Sequence, residues 1–83
     1  MDSDYGWVLK GSQRKKIIST MTKSKIPTQI KEDTKLSLNN VSDVLRQFRF
    51  KGIAKCINPK EKTGRVYTLT TKGLKIRDAI LKD

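Results

Sequence analysis

The sequence predicts a mostly helical α+β domain, with a three-helix core, a two-stranded hairpin and a closing helix. Three observations carry that expectation. Two helix-start signals, Pro27 and Ser37, lie ten residues apart with only a short turn between the helices they open. Two alternating runs, 53–57 and 65–69, flank a basic loop. The chain carries 19 Lys and Arg against 8 Asp and Glu, a formal charge of +11.

Eighty-three residues suit one small domain, 1–83. Hydrophobic residues make up 35% and charged residues 33%, a globular composition with a heavily ionised surface. Such a positive field attracts polyanions and says nothing about fold, so DNA, RNA and anionic membranes all remain eligible on charge alone. Cys56 is the single cysteine, which excludes a disulfide scaffold. There is no histidine, so the commonest general base is missing, and no metal-ligand set or cofactor is expected. No apolar run approaches the ~18 residues of a membrane span. Asp2 and Asp4 argue against a signal peptide, and the expected location is cytoplasmic, nucleoid-associated.

Along the chain, Tyr5, Trp7 and Leu9 alternate with Gly6, Val8 and Lys10, which predicts that 1–11 is extended and packs through its aromatics. Ser12 is the expected N-cap of a helix from Gln13 to about Met21. That helix turns Ile17, Ile18 and Met21 inward and leaves Arg14, Lys15 and Lys16 outside. Pro27 lacks an amide proton and belongs at a helix start; its helix runs to about Thr34 with Ile30 inward. Leu36 plugs the turn and Ser37 caps the next helix. At about 100° per residue, Leu38, Val41, Val44, Leu45 and Phe48 share one arc, and Gly52 stops the helix. A hairpin over 53–70 follows, ended on its first arm by Asn58-Pro59. Thr70 or Thr71 caps a last helix over 71–82, with Gly73, Ile76 and Ile80 inward.

The central words are Pro27-Thr28-Gln29-Ile30, the run from Leu36 through Ser37, Asn39, Asn40, Ser42 and Asp43 to Leu45, Lys51-Gly52-Ile53, and Tyr67-Thr68-Leu69-Thr70. Here the chain resembles the winged helix-turn-helix family of prokaryotic, especially archaeal, transcriptional regulators, with a wing of the MarR/ArsR type. The resemblance implies a helix-turn-helix over 27–50, a sequence-specific regulator of transcription and double-stranded DNA as its partner. It implies that one helix enters the major groove while the wing meets the flanking backbone or minor groove. On that reading Asn39, Asn40, Ser42, Asp43 and Arg46 read bases. Asp43 either accepts from a cytosine amino group or orients Arg46. Lys25, Thr28, Lys31, Lys60, Lys62 and Arg65 serve the backbone or form the wing. As an isolated helix, the same polar face would read as merely solvated.

Two positions depart from the family's usual pattern. Lys31 stands where a small residue is common, and Lys35 stands in the turn where glycine is common. The second predicts a strained backbone. Leu74 and Leu81 form a second stripe on the last helix, which predicts a homodimer, with Trp7 an alternative contact; the other expected cover is the segment from Tyr5 to Leu9. The main rival function is a winged-helix module for protein contacts in a transcription or assembly complex. Exposed aromatics on the third helix would favour that rival, and the stretch expected to face outward carries Asn, Ser and Arg. RNA binding lacks its stacking platforms. No nucleophile–base set or phosphate-cradling glycine run supports an enzyme, and no small-molecule site is evident.

Overall fold

The computed structural model describes residues 3–82. Its elements are α1 (Ser3–Lys10), α2 (Ser12–Thr20), α3 (Pro27–Thr34), α4 (Leu38–Phe50), β1 (Ala54–Cys56), β2 (Tyr67–Leu69) and α5 (Thr71–Lys82). The helix pair α3–α4, the antiparallel hairpin and the closing helix make a winged helix-turn-helix. Four helices, rather than three, precede the hairpin.

The extra helix is the main correction to the sequence reading. Residues 3–10 are helical, not extended. Eight residues are too few to hold a helix by themselves in water, so tertiary contacts must supply the stability. Val8 is fully buried, and Tyr5 and Trp7 pack against the core. The Trp7 ring meets Phe48 edge-on, with centroids 5.9 Å apart and planes at 72°. Above that ring lie the Arg14 guanidinium at 4.3 Å and the Lys51 ammonium at 4.7 Å. Arg14 also donates to the Trp7 carbonyl, one of the acceptors a short helix leaves open. Arg14 is therefore half-buried rather than outside. The expectation that the aromatics pack is met; the period-two geometry is not.

A smaller correction follows at Gly11, which is the N-cap of α2 with no side-chain bond, so Ser12 is the first helical residue. Ile17, Ile18 and Met21 are buried as expected. In α3, Pro27 takes the first turn, and the Ile26 amide donates to Gln29 Oε1 at 3.0 Å. Ile30 and Thr34 face inward. The helix ends on Lys35 at φ 64°, a left-handed conformation that costs a non-glycine residue about 1–2 kcal/mol. Ser37 caps α4 by accepting from the Asn40 amide at 3.2 Å.

Val41, Val44, Leu45 and Phe48 bury one stripe of α4 in the core. Leu38, expected on the same arc, lies at its edge and is 44% exposed. Gly52, at φ 74°, turns the chain out of the helix into β1.

The strands are shorter than the alternation suggested, with Ala54 opposite Leu69, Lys55 opposite Thr68 and Cys56 opposite Tyr67. Asn58 takes over where the ladder stops. Its Oδ1 accepts from the Val66 amide at 2.7 Å, and its Nδ2 donates to the Gly64 carbonyl at 3.2 Å. Lys25 and Tyr67 exchange backbone hydrogen bonds of 2.9 and 2.8 Å, which tie the wing to the segment entering α3. Cys56 is half-buried beside Asn58. Thr70 caps α5, its hydroxyl accepting from the Gly73 amide at 3.1 Å. A Cβ at Gly73 would fall 2.1 Å from the Ile53 carbonyl oxygen, so only glycine lets α5 sit this close to the hairpin.

Candidate nucleic-acid interface

The burial of one α4 stripe decides what the helix offers outside. Opposite Val41, Val44, Leu45 and Phe48, counting about 100° per residue, stand Asn39, Asp43, Arg46 and Phe50, all exposed. They follow one another at i, i+4, i+7 and i+11, one continuous ridge. Asn40 and Ser42 are half-buried on opposite shoulders of it. Asn40 borders a hollow against Gly11 and Arg14, and Ser42 borders the wing side. The five expected base-reading residues are thus split between a ridge of three and two flanking positions.

Asp43 lies 3.3 Å from Arg46, with side chains 60% and 77% exposed. An exposed pair of this kind adds little stability.

Between the start of α3, the inner side of α4 and the wing runs a cleft of about 430 Å³. Thr28 and Ser42 line it, and four cations, Arg46, Arg49, Lys62 and Arg65, converge on it. The wing's turn is built for this. Gly64 takes φ 66°, and Arg65 Nε donates to the Glu61 carbonyl at 2.7 Å, closing the loop around Lys62 and Thr63. Lys60 is exposed on the wing outside the cleft, and Lys31 is exposed on α3. Among the described residues no ion pair holds Arg49, Lys60 or Lys62.

Lys25 is placed otherwise. Its ammonium sits 2.6 Å from Asp33, with the side chain only 13% exposed. Part of its charge is therefore answered within the chain. Two residues of this surface were not among those expected. Arg49 follows Arg46 by three and was legible by helical spacing. Phe50 is 93% exposed, which removes the argument that the outer face of this helix lacks an exposed aromatic.

At the far end of α4 a second charged cluster is closed on itself. Asp4 lies 3.4 Å from Lys51 and is also hydrogen-bonded by Lys72. The Lys72 hydrogen bond holds the Asp4 carboxyl below its ordinary value. Partial burial opposes that shift, and the charges of Lys72 and Lys51 add to it. Leu74 and Leu81 remain 46% and 54% exposed, and α1 does not cover them. Trp7 packs within the chain. Among the described residues no group of three or more His, Cys, Asp or Glu could hold a metal. None of the described helices is long and apolar enough to cross a membrane.

The arrangement of helices and wing has a counterpart among solved structures. It resembles NadR. The crystal structure of NadR in complex with 4-hydroxyphenylacetate superposes with a TM-score of 0.75 at 16% identity. The match covers 96% of this chain and 62% of that one, so the chain spans under two thirds of the NadR chain. At this identity the likeness is one of fold. No family of known proteins matches the chain by sequence, and no curated protein does.

Proposed function

We propose that this chain is a sequence-specific double-stranded DNA-binding regulator of transcription, acting as one domain in the cytoplasm on the nucleoid. The observation that carries the reading is the cationic cleft between α4 and the wing, set beside a polar ridge on the same helix. A major groove about 12 Å wide admits one helix, so α4 enters with its ridge toward the bases. Asn39 is suited to pair with adenine N6 and N7, and Arg46 with guanine O6 and N7. Asp43 orients Arg46 or accepts from a cytosine amino group. Arg49, Lys62 and Arg65 then face the phosphates that border the groove, with Lys60 beyond them on the flanking backbone or minor groove. Thr28 stands at the start of α3, where helix geometry already favours anions, and Lys31 one turn further on. No step of bond chemistry is assigned to the chain.

The test is a titration against random duplex DNA, single-stranded DNA and RNA at two salt concentrations. Micromolar or tighter duplex binding is expected at low salt, with log K against log [salt] sloping by about −0.9 per phosphate neutralised. Asn39→Ala and Arg46→Ala should each remove about 1–3 kcal/mol of discrimination among sequences and leave nonspecific binding largely intact. Duplex binding that is absent at low salt, or indifferent to salt, sinks the reading.

The exposure of Phe50 favours a second reading, a winged-helix module for protein contacts. On either reading, Leu74 and Leu81 are the surface proposed to meet a second copy. Sedimentation of the wild type against Leu74→Lys/Leu81→Lys decides that: a wild-type monomer at high micromolar concentration ends the dimer proposal.

A further inference from the structure

Phe50 is the side chain that the fold leaves most anomalous. Its ring is 93% exposed, far more than the other large apolar side chains left at the surface. It lies at the end of the ridge begun by Asn39 and continued by Asp43 and Arg46. The shallow hollow around it is lined by Arg46 and Arg49, and both arginines also line the cationic cleft. The aromatic is therefore continuous with the polyanion-facing surface and flanked by positive charge. Among the described residues no other large apolar side chain lines the hollow around Phe50. The hollow here provides guanidinium groups instead.

In duplex DNA one apolar group lies in the major groove, the C5-methyl of thymine, and a phenyl ring is one of the side-chain surfaces suited to it. We infer that Phe50 reads a thymine methyl in the major groove, the apolar member of a ridge whose other members read by hydrogen bonds. This rests on the DNA-binding reading above. The ridge limits where that thymine falls. Eleven residues at 1.5 Å rise separate Asn39 from Phe50 by about 16 Å. At 3.4 Å per base pair along the duplex axis, with the helix inclined along the groove, that is at most about five steps from the pair read by Asn39. Arg49 holds a flanking phosphate while the ring reaches past it to the base edge.

The experiment selects bound sequences from a random duplex pool with wild type and with Phe50→Ala. It then replaces each selected thymine by uracil, which removes the methyl and keeps every hydrogen-bonding group. Wild type should lose about fourfold in affinity at one position, the value of one methyl-sized apolar group. That position should lie within about five base pairs of the one whose preference Asn39→Ala erases. Phe50→Ala should bind thymine and uracil duplexes alike there, and Phe50→Leu should keep part of the preference. Because the ring is in water, the variants should fold as wild type, which circular dichroism checks.

If Phe50→Ala retains the wild-type sensitivity to uracil, or no position of the selected site is sensitive, the inference is overturned while the DNA-binding reading stands. If Phe50→Ala leaves all duplex binding unchanged and instead abolishes self-association or capture of another protein, the ring is a protein contact and the inference is overturned. If wild type binds no duplex at low salt, the reading beneath it fails as well.

Discussion

Arg49 and Lys51 are two residues apart at the end of α4 and have opposite fates. Lys51 is held by Asp4 and lies over the Trp7 ring, inside a cluster that fastens α1 to the body of the fold. Arg49 opens onto the cleft with no carboxylate to answer it among the described residues. The same division runs through the molecule. Arg14 and Lys72 are engaged by Trp7 and Asp4, whereas Lys60 and Lys62 project from the wing. In a chain of charge +11 the number of cations says little about function. Among the described residues, cations without an ion pair, such as Lys15, Lys16, Lys31 and Lys75, are also exposed on α2, α3 and α5. What sets Arg49, Lys60 and Lys62 apart is that they stand together on one side of α4 and the adjoining wing.

If that division is sound, the largest effect belongs to the unanswered set. The triple change Arg49→Ala/Lys60→Ala/Lys62→Ala should flatten the salt dependence of duplex binding by about 0.9 per lost phosphate contact. For three contacts that weakens binding on the order of several hundredfold at 0.1 M salt. Stability should move by no more than about 0.5 kcal/mol, since these are surface groups without partners. A large drop in melting temperature, with binding preserved, would mean that these cations serve the fold after all.

The converse change is next in size. Trp7→Ala removes a half-buried ring from Phe48 and from two cations, and should cost about 1–3 kcal/mol in a denaturant titration, less than a fully buried aromatic. The slope of log K against log [salt] should not change. If it does, α1 is part of the binding surface and the two regions are not separate.

The same contrast explains how much could be read from the residues alone. Pro27, Ser37 and Thr70 announce helix starts by local chemistry, and each stands where that chemistry puts it. The α4 core stripe and the inward residues of α5 follow from spacing, because one buried side leaves a strong period. Lys35 also declared its left-handed backbone by standing where glycine is common. The helix at 3–10 was not legible in the same way. Gly6 lowers helix propensity and the aromatics alternate, while what stabilises the helix comes from Arg14 in the next helix and from Phe48, Lys51 and Lys72, distant in sequence. Its local cues were Asp4 in the first turn and Lys10 in the last.

In the candidate site the ridge was legible and its far end was missed. Phe50 continues the spacing of Asn39, Asp43 and Arg46, but a phenylalanine near helix-ending Gly52 reads as core until burial is known. The cleft itself was not legible. It depends on the Lys25–Tyr67 backbone bridge and on Asn58, which place the wing against α3 and α4.

The smallest expected effect tests the answered cluster through pH. The Lys72 hydrogen bond, with help from Lys51, holds the folded Asp4 carboxyl below its ordinary value of 3.8. The unfolded chain therefore takes up the Asp4 proton at a higher pH than the folded protein does. The resulting stabilisation is complete above about pH 4, and it is lost as pH falls through the folded value. Asp4→Asn cannot ionise and lacks that step. Thermal melts from pH 6 to pH 2 should show a wild-type advantage over Asp4→Asn that is level above about pH 4 and fades toward pH 2. Other carboxylates titrate in both proteins, so only the difference between the two curves reports on Asp4. A difference that stays constant to pH 2 would show that Asp4 holds α1 by hydrogen-bond geometry alone. Lys51 would then be no more answered than Arg49, and the contrast between them would rest on Trp7.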